Sequence, residues 1–318
     1  MSEGMKILIG YDGSECGNAA LDDLRRAGLP NEAETLVITV ADVFLPPPIN
    51  EEVDNTFPLY VPKAVRRAHQ RAAEAVRHAD VLAKSAGDRL RSTFPNWNVR
   101  TESCADSPGW AVVRRADEWH PHLVVVGAHG HSSFGGRLIL GSISQRILYE
   151  ARCSVRIARG RIDKAASAVR IIIGIDGSPD SEAAVDAVAS RAWPKRSEVR
   201  LIAVLDTVMP VKPDTVQPSI LKWLEVDDEA ERDQICQIFE ASAVKLRASG
   251  LVASVDLKKG NPKDVLAEEA EKWGADSIFV GAKGIRGIDR FLLGSVSAAV
   301  AARAHCSVEV IRPIHLTG

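Results

Sequence analysis

The chain has 318 residues, 46% apolar and 26% charged, a balance that fits a water-soluble globular protein of about two domains. Lys and Arg number 40 against 42 Asp and Glu, a formal charge of -2, so there is no basic excess for a nucleic-acid partner. No apolar run approaches the roughly 20 residues of a membrane span. The first residues lack signal-peptide shape, and five cysteines without a C-x-x-C point to a reducing cytoplasm rather than a disulfide framework.

In chain order, residues 7–11 form an unbroken apolar run, the pattern of a parallel strand buried on both faces. Ser14 is placed to cap a following helix. Residues 36–40 predict the second strand. The stretch 44–62 holds Pro46, Pro47, Pro48, Pro58 and Pro62, a density that excludes regular helix and predicts a surface loop over one end of the sheet. Val65, Ala68, Ala72, Val76, Ala79 and Ala83 recur at helical spacing and predict one long amphipathic helix over 63–92. A third strand is expected near Val99, a helix over 108–119, a fourth strand over 123–127, a helix from Ser142 and a last strand over 155–158.

The same series then repeats. Lys6-Ile-Leu-Ile-Gly-Tyr-Asp-Gly-Ser14 returns as Arg170-Ile-Ile-Ile-Gly-Ile-Asp-Gly-Ser178, and Val124-Val-Val-Gly-Ala-His-Gly130 as Ile278-Phe-Val-Gly-Ala-Lys-Gly284. Leu140-Gly-Ser-Ile-Ser144 returns as Leu293-Gly-Ser-Val-Ser297, and Cys153-Ser-Val155 as Cys306-Ser-Val308. Four matches in one order indicate duplication of a whole domain. The insertion over 44–62 belongs to the first copy, and a short polar linker over 159–169 joins the two. In the second copy, Ser178-Pro179 predicts a helix start. Strands are expected over 199–204, near Val255, over 277–281 and over 308–311, and helices over 228–248, over 262–273 and from Ser295. Alternation of this kind specifies an α/β fold with two doubly wound, Rossmann-like, open parallel five-stranded sheets flanked by helices.

In such sheets a ligand sits beyond the C-terminal ends of the strands, where strand order reverses. Two segments fall there in each copy. One is Asp12-Gly13-Ser14 with its counterpart Asp176-Gly177-Ser178. The other is a glycine loop, Gly127-x-x-Gly130 to Gly141-Ser142 and Gly281-x-x-Gly284 to Gly294-Ser295. Glycines let backbone N–H groups approach an anion closely, and the helix that follows presents its unpaired first-turn amides. A carboxylate facing an anion cradle describes a nucleotide site, while tight turns and helix–sheet contacts explain the same glycines without one.

On these motifs the chain resembles the universal stress proteins, as a tandem of two such domains over 1–160 and 168–318. The family's ATP-binding members carry G-2x-G-9x-G-(S/T). Gly281, Gly284, Gly294 and Ser295 match that spacing; the first copy has one extra residue between Gly130 and Gly141, which Gly135-Gly136 could absorb as a small bulge. The resemblance implies that Asp12 and Asp176, with Gly10 and Gly174 before them, meet the adenosine part. Val40 and Val204 would meet adenine through backbone groups. The glycine loops would hold ribose and phosphates with Ser142, Ile143 and Ser144 and with Ser295, Val296 and Ser297. Mg²⁺ would come with the phosphates. His129 and Lys283 lie within the loops, as donors near phosphate or as solvent-facing residues. The implied function is nucleotide-responsive stress or signalling, with at most slow hydrolysis, since no residue is placed as a general base. A protein-interaction module, or an ATP-consuming enzyme of the adenine-nucleotide alpha-hydrolase group, are the alternatives; the S-G-G-x-D-S that such enzymes usually carry is missing from Tyr11-Asp-Gly-Ser14.

Other features have plainer readings. A joint metal site of His120, His122, His129 and His131 is opposed by the roughly 23 Å of intervening strand. Cys153 and Cys306 read as small buried hydrophobes. Trp110, Trp119, Trp193, Trp223 and Trp273 read as packing. In the last strands Arg156 and Glu309 hold matching positions where a typical family member is apolar. Opposite charges across strands attract and like charges repel. The two domains are therefore expected to pair through these strands as an intramolecular pseudo-dimer, unless both charges merely protect exposed edges. A homodimer of whole chains is also compatible with the sequence.

Overall fold

A computed structural model of the chain describes residues 4–43, 63–130, 140–159, 168–205, 229–284 and 293–313, the side chains of 63 and 229–236 aside. The proline-rich insertion and most of the linker lie outside the described residues. The first half runs β1 (Met5–Gly10), α1 (Glu15–Asp23), β2 (Ala33–Ala41), α2 (Lys63–Thr93), β3 (Asn98–Ala105), α3 (Pro108–Trp119), β4 (Leu123–Gly127), α4 (Ser142–Glu150) and β5 (Ser154–Ala158). The second repeats it as β6 (Arg170–Ile175), α5 (Pro179–Ala189), β7 (Glu198–Leu205), α6 (Glu229–Ala248), β8 (Val252–Lys259), α7 (Pro262–Trp273), β9 (Ser277–Gly281), α8 (Ser295–Arg303) and β10 (Ser307–Ile311).

Helix starts follow local chemistry. The Ser14 and Ser178 hydroxyls accept from Gly17 N and Ser181 N and so satisfy orphan amides of α1 and α5. Pro108 and Pro262 stand where a first-turn N–H has no internal partner to lose.

The ten strands form one sheet in the order β3-β2-β1-β4-β5-β10-β9-β6-β7-β8. Pairing is parallel within each half and antiparallel where β5 meets β10. The two five-stranded sheets expected from the sequence are thus one continuous layer. β1 lies between β2 and β4, and β6 between β7 and β9, so each half reverses its strand order there and opens a crevice. One face of the sheet carries a core that runs unbroken through both halves, with Val155, Ile157, Val308 and Val310 at its centre. The other face carries two separate cores, one per half.

A buried charge network divides those two cores. Arg156 lies opposite Glu309 in the β5–β10 register, and its Nη1 donates to Glu309 Oε2 at 3.2 Å. The same guanidinium is bidentate to Asp23 on α1, at 2.6 and 3.1 Å. Glu309 also accepts from Arg191, just beyond α5, and Ser307 Oγ donates to Asp23 Oδ1 at 2.7 Å. Arg156 and Glu309 are both 0% exposed. Burial opposes the charge on Arg156; Asp23 and Glu309 overcome that cost, and its pKa is raised. Two arginines and two carboxylates leave the cluster neutral, which a buried ionic group requires.

Further contacts cross the same line. Arg312 Nη2 donates to Leu148 O at 2.6 Å and Arg159 Nη2 to Ala302 O at 3.2 Å, so each half supplies an arginine to the last turn of a helix in the other. Trp193 covers Gly28, whose φ is +62°; a Cβ there would lie 2.7 Å from the indole.

Candidate functional site

The crevice of the first half forms where β1 and β4 part. It is a small cleft of about 90 Å³, open to solvent. Its floor is apolar, from Ile38, Val112, Val126 and Ile147, and its rim is polar. Eight residues singled out in the sequence meet here: Gly10, Asp12, Val40, Gly127, His129, Gly130, Ile143 and Ser144. Tyr11 and Val126, which stand inside the repeated motifs, join them with Pro108 at the start of α3 and with Gly17, Ile38, Val112 and Ile147, which no motif marks. The floor residues follow from strand and helix periodicity once the switch point is known; Gly17 has no such signal.

Asp12 Oδ1 accepts from Ser14 N at 3.0 Å, which holds its carboxylate at the crevice beside the glycine loop. A Cβ at Gly130 would lie 2.9 Å from Asp12 Oδ2, and one at Gly127 would lie 2.8 Å from Cys16 O. Bare backbone is therefore needed at both places for the loop to run this close to α1.

α4 begins at Ser142, as expected, with Gly141 as its N-cap. The Gly141 N–H donates to Ala128 O at 2.9 Å, which anchors the start of the helix to the loop. The first intrahelical bond is Gln145 N to Gly141 O at 2.8 Å, so α4 has no internal use for the amides of Ser142, Ile143 and Ser144. The positive end of the helix dipole adds to the donors gathered there. The Ser144 side chain is already committed: its hydroxyl donates to Gly127 O at 2.6 Å. His129 Nε2 is buried and has no hydrogen-bond partner among the described residues. A buried donor or acceptor of this kind is a feature that a polar ligand atom would relieve. The glycine cradle, the helix start and the orphaned imidazole nitrogen thus fit the phosphate and ribose of a nucleotide. Among the described residues no group of three or more His, Cys, Asp or Glu is placed to hold a metal ion.

The second half builds the same frame. Asp176 Oδ1 accepts from Ser178 N at 3.0 Å, Gly294 caps α8 and donates to Ala282 O at 2.7 Å, and Ser297 Oγ donates to Gly281 O at 2.6 Å. Ser295 and Val296 open α8 as Ser142 and Ile143 open α4. Gly174, next to last in β6, lies beside Leu266 and Val280, and Val204 lies near the end of β7. Two additional bonds hold the loop here. Lys283 N donates to Asp180 Oδ2 at 3.0 Å, and Ser178 Oγ donates to Lys283 O at 3.4 Å.

The remaining residues have local roles. His122 Nδ1 accepts from Lys6 N at 2.9 Å, and His120 ends α3 with φ +53°. Burial pushes the Cys153 and Cys306 thiols up to about 12, consistent with their reading as packed apolar groups. Trp110 departs from its expectation: it is 52% exposed, because it lies on the solvent face of the first turn of α3, where the Arg146 guanidinium stacks 4.7 Å from its ring centroid. Among the described residues no helix is long and apolar enough to cross a membrane.

Comparison with known proteins agrees with this architecture. The sequence profile of the universal stress protein family matches residues 5–159 and again 169–312. A universal stress protein from Mycolicibacterium smegmatis is 29% identical over 315 residues, spanning 96% of this chain and 97% of its own. The crystal structure of a universal stress protein from Archaeoglobus fulgidus superposes with a TM-score of 0.61 at 18% identity, covering 96% of this chain and 98% of that one. A universal stress protein solved in complex with cAMP is 24% identical, covers 46% of this chain and 98% of that one, and has a TM-score of 0.30.

Proposed function

The chain belongs to the universal stress protein family, and we propose that it binds ATP at the end of β1 and acts as a nucleotide-responsive stress or signalling protein of the cytoplasm. The observation that carries this reading is the first-half crevice, where the Asp12 carboxylate lies beside a glycine loop and an uncapped helix start over an apolar floor. In this reading Asp12 accepts from a ribose hydroxyl, and Ile38 and Val40 hold the base against the floor. The loop amides, the first turn of α4 and His129 donate to the phosphates, with Mg²⁺ neutralising the remaining charge. A bound triphosphate supplies charge and a rigid link between β1 and β4; the chain's own residues hold it and need not turn it over.

The pairing of the halves through β5 and β10 is part of the same proposal. Arg156 and Glu309 would keep the two domains of one chain together in solution. Two first halves would set Arg against Arg at this position, and two second halves Glu against Glu.

Isothermal titration with ATP tests the binding claim. Saturable heat is expected from the unmodified protein, and at least a tenfold loss of affinity in Gly130→Val, whose side chain would fill the gap to Asp12. Absence of heat at millimolar ATP would refute it. A protein-interaction module is the second reading, favoured by the exposure of Trp110, Ile143 and Tyr149 on the α3–α4 side, at 52%, 39% and 44%. It calls for unchanged pull-down partners in Gly130→Val.

A further inference from the structure

The two crevices have the same frame but different fillings, and the differences point one way. Gly17 on α1 leaves room beside Asp12, where a Cβ would lie 2.8 Å from Asp12 Oδ1. The matching residue on α5 is Ser181, buried, with its hydroxyl donating to Ser178 O at 2.9 Å. With that side chain present, the Asp176 carboxylate sits closer to the glycine loop: a Cβ at Gly284 would lie 2.6 Å from Asp176 Oδ2, against 2.9 Å for Gly130 and Asp12.

The loop itself is drawn in as well. A Cβ at Gly281 would lie 2.6 Å from the nearest atom of Asp180, while one at Gly127 would lie 2.8 Å from the nearest atom of Cys16. Asp180 occupies the place of Cys16 and carries the acceptor that a cysteine lacks, taking the Lys283 N–H at 3.0 Å. That N–H is one of the loop amides a phosphate would otherwise use. At the floor, Leu266 replaces Val112 with a longer side chain; the atom nearest a Cβ built at Gly174 is then Leu266 Cδ1 at 2.9 Å, where the one nearest a Cβ built at Gly10 is Val126 Cγ1 at 3.0 Å. A carboxylate already bonded to the loop also repels a triphosphate.

We propose that the halves are not equivalent: the first half is the nucleotide-binding one, and the second is held shut by Asp180 and serves as a fixed partner, although its glycine spacing is the regular one. This rests on the proposed function above. Asp180 has a structural use in addition, since its charge favours that of Arg312, which donates to Leu148 O in the last turn of α4 and to Cys153 O beyond it.

Native mass spectrometry of the full chain with ATP and Mg²⁺, paired with amide hydrogen exchange of the same samples, tests both parts. One ATP per chain is expected. Gly130→Val should remove it, Gly284→Val should leave it, and Asp180→Cys should admit a second. Two ATP per unmodified chain, or loss of binding in Gly284→Val with retention in Gly130→Val, would overturn the proposal. The exchange measurement reads the latch without ligand. The Lys283 amide should exchange at least tenfold more slowly than the His129 amide, and Asp180→Cys should abolish that difference; equal rates in the unmodified protein would overturn the latch. An unmodified chain that binds no ATP while Lys283 is protected would instead sink the functional reading and leave the asymmetry standing. If Asp180→Cys fails to fold, the unmodified stoichiometry and the two glycine variants still decide.

Discussion

At the seam between the halves, divergence has made the two copies complementary. Arg156 and Glu309 hold matching positions, and each is satisfied by the other copy and by a second partner, Asp23 or Arg191. At the crevices, divergence has made them different without reference to each other: Gly17 against Ser181, Cys16 against Asp180, Val112 against Leu266. A change at the seam should therefore be felt by the whole molecule, whereas a change in a crevice should be felt by one half alone.

The largest effect is expected at the seam. Arg156→Glu would place a third carboxylate beside Glu309 and Asp23 in a site without solvent, and breaking a buried pair costs about 3–5 kcal/mol. Urea unfolding should report a loss of that size, with a rise in the radius of gyration by small-angle scattering. An unchanged midpoint and an unchanged radius would remove the seam from the account. In the crevices the expected contrast is functional. Gly130→Val should weaken ATP at least tenfold, about 1.4 kcal/mol, and Gly284→Val should not, each retaining its circular dichroism spectrum.

A pH effect should follow from Cys153 and Cys306, whose thiols burial pushes up to about 12. In the unfolded chain they ionise near pH 8.5. The folded state then binds more protons than the unfolded one between the two values, so stability is complete below about pH 8.5 and falls as pH rises toward 12. Unfolding midpoints at pH 7 and pH 10 should differ in that direction, and Cys153→Ala should reduce the difference. The smallest effect should come where the halves agree. Ser144→Ala and Ser297→Ala each remove a 2.6 Å bond to a strand carbonyl, at about 1 kcal/mol apiece. Unequal costs would show that even the shared frame has diverged.

The sequence was most informative where local chemistry and repetition coincide. The helices at Pro108–Trp119 and Pro262–Trp273 begin at a proline in the first turn, and the strands Leu123–Gly127 and Ser277–Gly281 are apolar runs ending in the loop glycine. Asp12, the glycine loops and the start of α4 could be collected from motif spacing because strand order dictates where they meet. The partners of Arg156 were not legible: Asp23 and Arg191 lie at helix ends and acquire a role only when the second half is laid beside the first. The Ser144 hydroxyl was equally hidden, since nothing in a sequence tells whether a serine beside a glycine loop faces a ligand or the strand beneath it. Trp110 misled because aromatic residues in a helix usually pack inward, and here it lies on the outward face of α3 while its neighbours Gly109 and Ala111 are buried.

The most direct test is a crystal structure of the chain soaked with ATP and Mg²⁺ in excess. The account expects nucleotide density in the first crevice, against Asp12 and Gly130, with its phosphates at the first turn of α4 and beside His129, and none in the second crevice beside Asp176 and Gly284. Water alone in the first crevice, with or without nucleotide in the second, would contradict it.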